Sequence, residues 1–325
     1  MKVLITTVPF GQIDGQPLQD LKSNNIEYVI NPLNRKLQPG ELVELIEDFD
    51  VIIAGTEKIN QDVFDKAKKL KFISRVGIGL DGIDLKYAKE KGVKVSYTPD
   101  APAPAVAEMT IGLMISLIRS INRSNLNIKN GKWERYFGHR LSEMNIGIIG
   151  MGRIGSKVLR HLECFNPKNI FVNDTDSLAL NNLSSGVITC SKDEIYCNSD
   201  LISLHLPLTK ETHNLISSEQ INKMKKSTFL INTARGGIIN EDALIEALKS
   251  KRIAGAAIDT YENEPYSGDL IKFNNCINTA HMGSMTEDCR SAMEIEATKE
   301  AIRFIKGDTL LSEVPENEYQ VQSYY

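Results

Sequence analysis

The chain of 325 residues has few cysteines and no CxxC pair. Its five cysteines are an odd number and are scattered between Cys164 and Cys289. A disulfide framework or a thiolate metal site needs regularly spaced cysteines, so this pattern predicts reduced thiols, no metal and a cytoplasmic location. No segment is strongly basic and the net charge is −4, so neither nucleic acid nor an anionic membrane surface is expected as a partner.

Long apolar runs are also missing. The most apolar stretch, Val106–Ile121, is interrupted by Glu108 and Arg119, and it is too short to span a bilayer comfortably. We therefore expect a buried helix there. The chain starts directly in a strand, at Met1–Thr7, without the apolar core and cleavage site of a signal peptide.

The stretch Met144–Ser156, MNIGIIGMGRIGS, passes from a β-branched apolar run straight into the motif GMGRIG at 150–155. Apolar residues at helical spacing follow, so the glycines lie between a strand and a helix. In such a turn Gly150 permits the tight bend, Gly152 lets the backbone approach a pyrophosphate, and Gly155 allows the helix to pack closely on the sheet. The N–H groups and dipole of the helix N-terminus favour the phosphates.

A second predicted strand, Asn169–Asn173, ends at Asp174, which lies 24 positions after Gly150. A carboxylate at this place accepts hydrogen bonds from a ribose 2′-OH and repels a 2′-phosphate. The two features together predict binding of NAD rather than NADP. The alternative is an ordinary strand-turn-helix followed by a surface aspartate, because glycine-rich turns are common.

Strand and helix signals alternate through the first hundred residues, which is typical of a parallel sheet covered on both faces. The proline-rich segment Pro99–Pro104 ends this unit, and one helix from about 105 to 124 should follow it. A second α/β unit starts at Met144, and a long helix is predicted over Glu287–Lys306. The later strands of the second unit are predicted at 169–173, 201–204, 228–232, 255–258 and 276–279.

The predicted fold class is therefore α/β, with two doubly wound parallel-sheet domains of the Rossmann or flavodoxin type and a cleft between them. The long C-terminal helix should return the chain to the first unit. Residues 1–100 and 285–325 would then form a discontinuous substrate-binding domain, and residues 101–284 the NAD-binding domain. The polar tail 313–325 is expected to be a loosely held extension.

Three polar stretches follow later predicted strands, where ligand-facing loops should lie. Arg235 precedes two glycines, and its guanidinium could hold a carboxylate through two parallel hydrogen bonds or be an ordinary surface cation. His281 lies at a strand end and is either an acid/base or a structural hydrogen-bonding group. Three acids follow Ile258, and one of them could orient the histidine.

Together these motifs resemble the D-isomer-specific 2-hydroxyacid dehydrogenase family, from the Arg75–Asp81 segment to the helix after His281. The resemblance implies an NAD-dependent oxidoreductase in which Arg235 binds the substrate carboxylate, His281 is the acid/base, and Glu264 pairs with that histidine. It also implies that Asp259 lies near the nicotinamide end of the cofactor. The other cofactor-binding residues implied are Ile78, Gly150, Gly152, Arg153, Ile154, Gly155, Asp174, Leu206, Pro207, Thr233, Ala234, Arg235, His281 and Gly283, with Leu206 and Pro207 on the adenosine side.

The chemistry of this assignment is coherent. Reduction of a 2-keto acid needs hydride at the carbonyl carbon and a proton at the oxygen, and a histidine supplies that proton near neutral pH. Glu264 beside His281 would favour the imidazolium form. Arg235 would anchor the carboxylate and help polarise the carbonyl, and in the opposite direction neutral His281 would take the hydroxyl proton.

Within the family, Arg75–Asp81 and Asn130–Arg135 are most similar to phosphoglycerate dehydrogenases. This similarity implies 3-phosphoglycerate or 3-phosphohydroxypyruvate as substrate and a role in serine biosynthesis. The implied substrate-binding residues are Lys58, Arg75, Val76, Gly77 and Arg235, where Gly77 gives backbone N–H contacts to the acid and Lys58, Arg75 and Arg135 meet the phosphate.

Several alternatives remain open. The chain has Ala280 where the family commonly has a proline, and no C-terminal regulatory domain is expected after residue 310. Hydroxypyruvate or glyoxylate reduction, action on formate or phosphite, and a non-catalytic NAD-sensing corepressor are the alternative functions. A homodimer is implied by the resemblance, with Val106–Ile121 and Asn122–Arg140 as the contact, unless that helix is buried within one subunit.

Overall fold

The computed structural model of the protein describes residues 1–181 and 183–321. This part of the chain forms twelve strands and twelve α-helices. The strands are β1 (Lys2–Ile5), β2 (Glu27–Ile30), β3 (Val51–Ala54), β4 (Phe72–Arg75), β5 (Lys94–Ser96), β6 (Asn145–Ile149), β7 (Asn169–Asn173), β8 (Val187–Thr189), β9 (Leu201–Leu204), β10 (Phe229–Asn232), β11 (Gly255–Ile258) and β12 (Cys276–Asn278). The helices are α1 (Gln16–Ser23), α2 (Glu41–Leu45), α3 (Gln61–Lys66), α4 (Leu85–Glu90), α5 (Pro102–Ile118), α6 (Ile121–Lys129), α7 (Arg153–Glu163), α8 (Lys192–Asn198), α9 (Ser218–Lys223), α10 (Glu241–Lys249), α11 (Glu287–Lys306) and α12 (Glu316–Val321).

The chain divides into two compact units. Unit 1 contains residues 1–102 and the described residues from Met285 onward, and unit 2 contains Ala103–Ser284. Unit 1 is built on a five-stranded sheet in the order β2-β1-β3-β4-β5, in which every neighbouring pair is parallel. Helix α11 packs on β3 and β4, where the rings of Phe72 and Phe304 stack 4.5 Å apart.

Unit 2 is built on a seven-stranded sheet in the order β12-β11-β10-β9-β6-β7-β8, and its neighbouring pairs are again all parallel. Its central strands are buried on both faces, as the run of enclosed residues in β6 and β9 shows, because helices cover the two sides of a parallel sheet. The chain order reverses between β6 and β9. In open α/β sheets this switch point, at the carboxyl ends of the strands, is the usual place for a ligand.

The predicted fold class is confirmed by these two parallel sheets. The alternating strands and helices predicted in the first hundred residues are found as β1 to β5 and α1 to α4. The helix over Glu287–Lys306 has the predicted limits. The short edge strand β8 was not predicted, because its three residues carry too little of a periodic signal.

The prediction of one helix from 105 to 124 is wrong in two respects. Helix α5 starts at Pro102, because a proline is tolerated in the first turn, where its missing N–H has no helical partner. The helix ends at Ile118, and Ser120 adopts a left-handed conformation, with φ of 52°. Helix α6 then begins at an angle of 65° to α5. Within the described residues no single helix is long and apolar enough to cross a membrane, although α5 and α6 taken together as a bent pair meet that test of length and composition.

The tail is also better anchored than predicted. Glu313 pairs with Ser96 in an antiparallel bridge, and the N–H of Val314 donates to the carbonyl of Val95 at 2.9 Å. Val314 is buried, and Tyr319 packs against the core of unit 1. The expectation of a loose extension is therefore wrong for residues 313–321, and for 322–325 it lies outside the described residues.

Candidate active site

The predicted site residues of unit 2 share one edge of its sheet. Each follows a strand directly or within a few residues, and the strands are parallel, so their carboxyl ends meet at the same edge. The residues are Gly150, Gly152, Arg153, Ile154 and Gly155 after β6; Asp174 after β7; Leu206 and Pro207 after β9; Thr233, Ala234 and Arg235 after β10; Asp259 and Glu264 after β11; and His281 and Gly283 after β12.

The glycine turn lies at the switch point between β6 and β9. Gly150 has a φ of 96°, and a Cβ atom on it would lie 2.2 Å from the carbonyl oxygen of His205. A Cβ atom on Gly155 would lie 1.9 Å from the carbonyl oxygen of Gly150. Because neither position has room for a side chain, α7 starts directly against the end of β6.

Gly152 differs from the other two glycines, since a Cβ atom there would meet nothing within 4 Å. It is exposed and precedes the first turn of α7, which has no side-chain cap. Arg153 is exposed and Ile154 packs partly on the core. An uncapped first turn of an eleven-residue helix behind an open glycine fits the pyrophosphate of a dinucleotide.

Asp174 ties the end of β7 to the glycine turn. Its Oδ2 accepts the N–H of Met151 at 2.6 Å, and its Oδ1 accepts the N–H of Asp176 at 2.9 Å. Each carboxylate oxygen keeps a second lone pair, so the half-buried group can still accept a hydroxyl proton. This position fits a ribose held beside the glycine turn.

His205 lies between Ser203 and Leu206 at the same switch point. Its Nε2 is 2.9 Å from the hydroxyl of Ser203, whereas Nδ1 is buried without a partner in the described chain. Burial lowers the pKa of His205 to about 3, so the ring is neutral at physiological pH. Leu206 is half-buried beside Gly150, and Pro207 is exposed.

The loop that carries Arg235 is braced by its own neighbours. The side chain of Asn232 accepts the N–H of Ala234 at 3.0 Å and donates to the carbonyl of Arg235 at 2.8 Å. The hydroxyl of Thr233 is 2.8 Å from that of Thr110 on α5, and both threonines are buried. Arg235 itself is half-buried, and its Nη1 donates to the carbonyl of Ala234 at 2.7 Å.

Gly236 brings this loop against the loop after β11. A Cβ atom on Gly236 would lie 2.0 Å from the carbonyl group of Tyr261, so only glycine allows the approach. Tyr261 is in turn bonded through its N–H to Oε1 of Glu264, at 3.3 Å. The arginine loop and the glutamate loop are therefore in direct contact.

His281 and Glu264 form a pair. The Nδ1 atom of His281 is 3.0 Å from Oε2 and 3.1 Å from Oε1 of Glu264. Since an ionised carboxylate only accepts, Nδ1 carries the proton of this bond and Nε2 is the nitrogen left for other partners. The histidine side chain is 40% exposed, so the ring remains open to a ligand.

Asp259 fixes the backbone around His281. Its carboxylate is 0% exposed and accepts three hydrogen bonds, from the hydroxyl of Thr279 at 2.6 Å and from the N–H groups of Met282 at 2.8 Å and Gly283 at 2.9 Å. Its carbonyl accepts the N–H of His281 at 2.9 Å. With so many bonds to one buried residue, the histidine is held with a φ of 51°, a conformation that costs free energy outside glycine.

In unit 1, the loop after β4 is closed on itself. The guanidinium of Arg75 donates to the carbonyls of Val76 and, at 3.1 Å, Gly79. The N–H of Gly77, predicted to contact the substrate acid, donates to the hydroxyl of Thr98 at 2.7 Å. The next two N–H groups, of Ile78 and Gly79, donate no hydrogen bond to the part of the chain that the structure describes, so they are better placed to receive an anion.

Two other residues predicted to meet a phosphate lie on exposed surfaces. Lys58 follows β3 in unit 1, and Arg135 belongs to the segment after α6 in unit 2. Sequence reasoning missed Thr110 and Thr98, which hold the arginine loop and the Gly77 loop. A hydroxyl in the apolar helix α5, which otherwise has only that of Ser116, was the available signal for Thr110, whereas Thr98 gave none.

The two helix-side glycines give a matched pair of variants. Gly155→Ala should lower the free energy of unfolding by about 3 kcal/mol or more, because the added methyl group meets the Gly150 carbonyl and neither backbone can move away. Gly152→Ala should change it by less than about 0.5 kcal/mol but weaken NADH binding about tenfold, since its methyl group fills the open space of the turn. Urea denaturation and NADH fluorescence titration measure the two effects. Equal stability of the two variants would contradict the packing described here.

The pKa of His205 predicts a specific acid sensitivity. Because the folded-state pKa, about 3, lies below the ordinary value of 6.5, the unfolded chain binds the extra proton and stability is lost as the pH falls below 6.5. His205→Gln can keep the bond to Ser203 but does not titrate. Between pH 6.5 and 4, the free energy of unfolding of the wild type should fall about 1.4 kcal/mol per pH unit more steeply than that of the variant. The exposed His139 gives the control, and the free energy of unfolding of His139→Gln should vary with pH as that of the wild type does. Parallel pH curves for the wild type and His205→Gln would refute the lowered pKa of His205.

Comparison with known proteins agrees with this site. Residues 111–283 match the model of the D-isomer specific 2-hydroxyacid dehydrogenase NAD-binding domain. The chain is 39% identical over 278 residues to D-3-phosphoglycerate dehydrogenase of Methanocaldococcus jannaschii, and this match covers 84% of the chain but only 53% of that relative. It is 37% identical over 274 residues to hydroxypyruvate reductase of Thermotoga maritima, covering 82% of the chain and 88% of that relative.

A solved structure shows the same fold. D-lactate dehydrogenase of Aquifex aeolicus, complexed with NAD and lactic acid, superposes with a TM-score of 0.82 and 26% identity, over 95% of this chain and 96% of that one. The matches to both a domain model and nearly full-length relatives agree with the glycine turn, the acid after β7 and the histidine–glutamate pair. The chain belongs to the D-isomer specific 2-hydroxyacid dehydrogenase family, and residues 111–283 lie in its NAD-binding domain.

Proposed function

We propose that the protein transfers hydride between NAD and a short D-2-hydroxy acid. The observation that carries this proposal is the His281–Glu264 pair, which stands on loops next to the Arg235 loop at the carboxyl edge of the NAD-binding sheet. An acid/base, its orienting carboxylate and an anion-binding cation are the groups that this reaction requires of the protein.

His281 handles the proton. Glu264 holds the Nδ1–H of the ring, so Nε2 is the atom that gives a proton to the substrate oxygen during reduction and takes it during oxidation. Loss of the Glu264 carboxylate would remove the acceptor that holds the orientation of the ring. NAD, when bound, supplies or receives the hydride.

Arg235 binds the carboxylate of the substrate. Its guanidinium presents a planar set of donors that matches a carboxylate through two parallel bonds. The bracing of its loop by Asn232 and Thr233 keeps that position fixed, which lowers the entropy lost on binding. In unit 1, the N–H groups of Ile78 and Gly79 suit an anion better than that of Gly77, which is bonded to the hydroxyl of Thr98.

The substituent on the acid is a finer part of this proposal. The relatives are named for 3-phosphoglycerate, hydroxypyruvate and glyoxylate. The guanidinium of Arg75 is bonded to carbonyls of its own loop, whereas Lys58 is exposed, so Lys58 is the stronger candidate in unit 1 to meet a phosphate. A role in serine biosynthesis depends on turnover of 3-phosphoglycerate.

A panel of 2-keto acids tests the proposal. Phosphohydroxypyruvate, hydroxypyruvate, pyruvate and glyoxylate are each assayed with NADH and NADPH by the loss of absorbance at the reduced nicotinamide band. At least one acid should be reduced with NADH, and His281→Asn should lower kcat by about 10²–10⁴-fold because the proton donor is removed, while NADH affinity is kept. His139→Asn serves as the control and should leave kcat unchanged. Full activity of His281→Asn, or no turnover of any acid, would contradict the proposed function.

We further propose that two copies of the chain form a homodimer through the arm of unit 2 that follows α5. Trp133 is 84% exposed, and Phe137, Leu126 and Ile128 are exposed near it in the chain. A single protein rarely leaves so many large apolar side chains in water within one segment. A groove of about 460 Å³ lies at the bend between α5 and α6, lined by Ile115, Arg119, Ile121, Ser124, Asn125 and Ile128.

The five free cysteines support a cytoplasmic location.

Light scattering coupled to gel filtration tests the dimer. The wild type should have twice the mass of the chain, and Trp133→Ser with Phe137→Ser should shift it toward the monomer because the apolar contact is removed. Leu311→Ser is the control, since Leu311 is equally apolar and exposed but lies in unit 1. A dimer that survives the double substitution would place the contact elsewhere.

A further inference from the structure

The loop after β11, residues 259–266, carries Glu264 and is held by a residue of another element. The backbone N–H of Glu262 donates to Oε1 of Glu241 at 2.9 Å. Glu241 lies 21 positions earlier in the chain and is the first residue of α10. Sequence reasoning did not single it out, because an acid in the first turn of a helix is ordinary. The bond ties the start of α10 to the loop that carries Glu264.

The carboxylate of Glu241 is not needed to start α10. The side chain of Asn240 caps the helix by accepting the N–H of Ala243 at 2.8 Å. Asp242 supplies a second acid to the first turn, where the helix dipole favours negative charge. The helix therefore has its own cap and its own acid, and the bond from Glu241 serves the neighbouring loop.

The surroundings of Glu241 do little else to stabilise its charge. Burial raises its pKa above the ordinary value, which the Glu262 N–H opposes and the charges of Glu262 and Asp242 reinforce. Burial also raises the pKa of the nearby Tyr266 phenol, and the charge of Glu241 adds to that effect. Across the part of the chain that the structure describes, no cation pairs with Glu241, and the Glu262 N–H is the one donor that meets its carboxylate. This bond is therefore the main favourable contact of a half-buried acid.

The amide that Glu241 holds lies two residues before Glu264. The peptide group of Tyr261, next to it, packs against the arginine loop, and its N–H donates to Oε1 of Glu264 at 3.3 Å. The short turn from Tyr261 to Glu264 is thus fixed at its backbone, and it presents Oε2 of Glu264 to Nδ1 of His281 at 3.0 Å. Without the acceptor on Glu241, the Glu262 amide has to bond to water instead, and the turn is free to shift.

We propose that Glu241 is a positioning residue that acts through the Glu262 amide to keep Glu264 opposite the acid/base. This inference rests on the proposed function and adds a residue to the same site. Every residue that it invokes belongs to unit 2. A misplacement of about 1 Å in a catalytic arrangement can cost about 10²-fold in rate, so loss of this bond should be visible in kcat.

Three variants of Glu241 separate the bond from the charge. Glu241→Gln removes the charge but keeps an oxygen for the Glu262 amide, so kcat with NADH should stay within about twofold of the wild type. Glu241→Ala removes the acceptor, and Glu241→Asp withdraws it by one methylene group. Each should lower kcat about tenfold with KM and NADH affinity unchanged, because the Arg235 loop and the glycine turn keep their own contacts. If Glu241→Ala does not fold, Glu241→Asp carries the test.

Asp242→Ala is the matched control. It takes the same charge from the same turn of α10, but within the described residues Asp242 makes no hydrogen bond to the glutamate loop. Its kcat should equal that of the wild type, so a loss as large as that of Glu241→Ala would mean that charge at the helix start, rather than the bond, is what matters. That result would overturn the inference.

A double-mutant cycle shows whether Glu241 acts through Glu264. In a Glu264→Ala background the acceptor for His281 is already gone, so Glu241→Ala should lower kcat by less than about twofold. Full kcat of Glu241→Ala in the wild-type background, an equal loss in both backgrounds, or a Glu241→Gln as slow as Glu241→Ala overturns the inference while the dehydrogenase function stands.

Nitrogen magnetic resonance of isotope-labelled histidine gives a readout that needs no turnover. In mildly alkaline buffer the wild type should carry the proton of the His281 ring on Nδ1, as the bond to Glu264 requires. Glu241→Ala should move part of the population to the Nε2–H form, whereas Glu241→Gln and Asp242→Ala should not, and His281→Asn identifies the resonance by its absence. The same tautomer in the wild type and in Glu241→Ala overturns the inference. If no acid is turned over, the proposed function falls, and this measurement still decides whether Glu241 positions the pair.

Discussion

The parallel direction of every strand in unit 2 is the constraint on which its site depends. In a parallel sheet the carboxyl ends of all strands meet at one edge, so residues as far apart as Gly150 and His281 fold to the same side of the molecule. A strand of the opposite direction would carry the loop that follows it to the opposite edge. The direction of the strands alone therefore brings the functional residues to one edge of the sheet.

Buried residues then fix the positions of these loops. Asp259 holds the backbone on both sides of His281 through its carbonyl and carboxylate, and Thr110 holds the arginine loop from below. Because Gly236 has no side chain, the arginine and glutamate loops can come into contact. As a result, the loops lose their conformational entropy when the protein folds rather than when it binds a ligand.

The sequence predicted the fold class, the family and NAD as the cofactor, and the structure and the comparisons confirm these. These features depend on local sequence, because about a dozen neighbouring residues determine a glycine turn between a strand and a helix. The break at Ser120 was not predictable in this way, since a serine in the left-handed conformation leaves no sequence signal.

The partner of the Gly77 amide escaped sequence reasoning for a related reason. It is Thr98, 21 positions later, and only the pairing of β4 with β5 brings the two together. Glu57 was not singled out because it stands between Thr56 and Lys58, a polar segment that predicts a surface loop, whereas folding buries it beside Gly55. The catalytic and binding roles of Arg235, Glu264 and His281 stay predictions, although the structure places the last two in contact.

The division of unit 1 between the two ends of the chain bears on how the protein is made. Helix α11 packs on α1, β3 and β4, so the first hundred residues lack part of their core until Lys306 has been added. Unit 2 is continuous over Ala103–Ser284 and has all of its strands by then. Because domains generally fold as units during synthesis, the nascent chain on the ribosome would complete its nucleotide-binding half first, while the earlier-translated half keeps apolar strands exposed until residue 306 has been added.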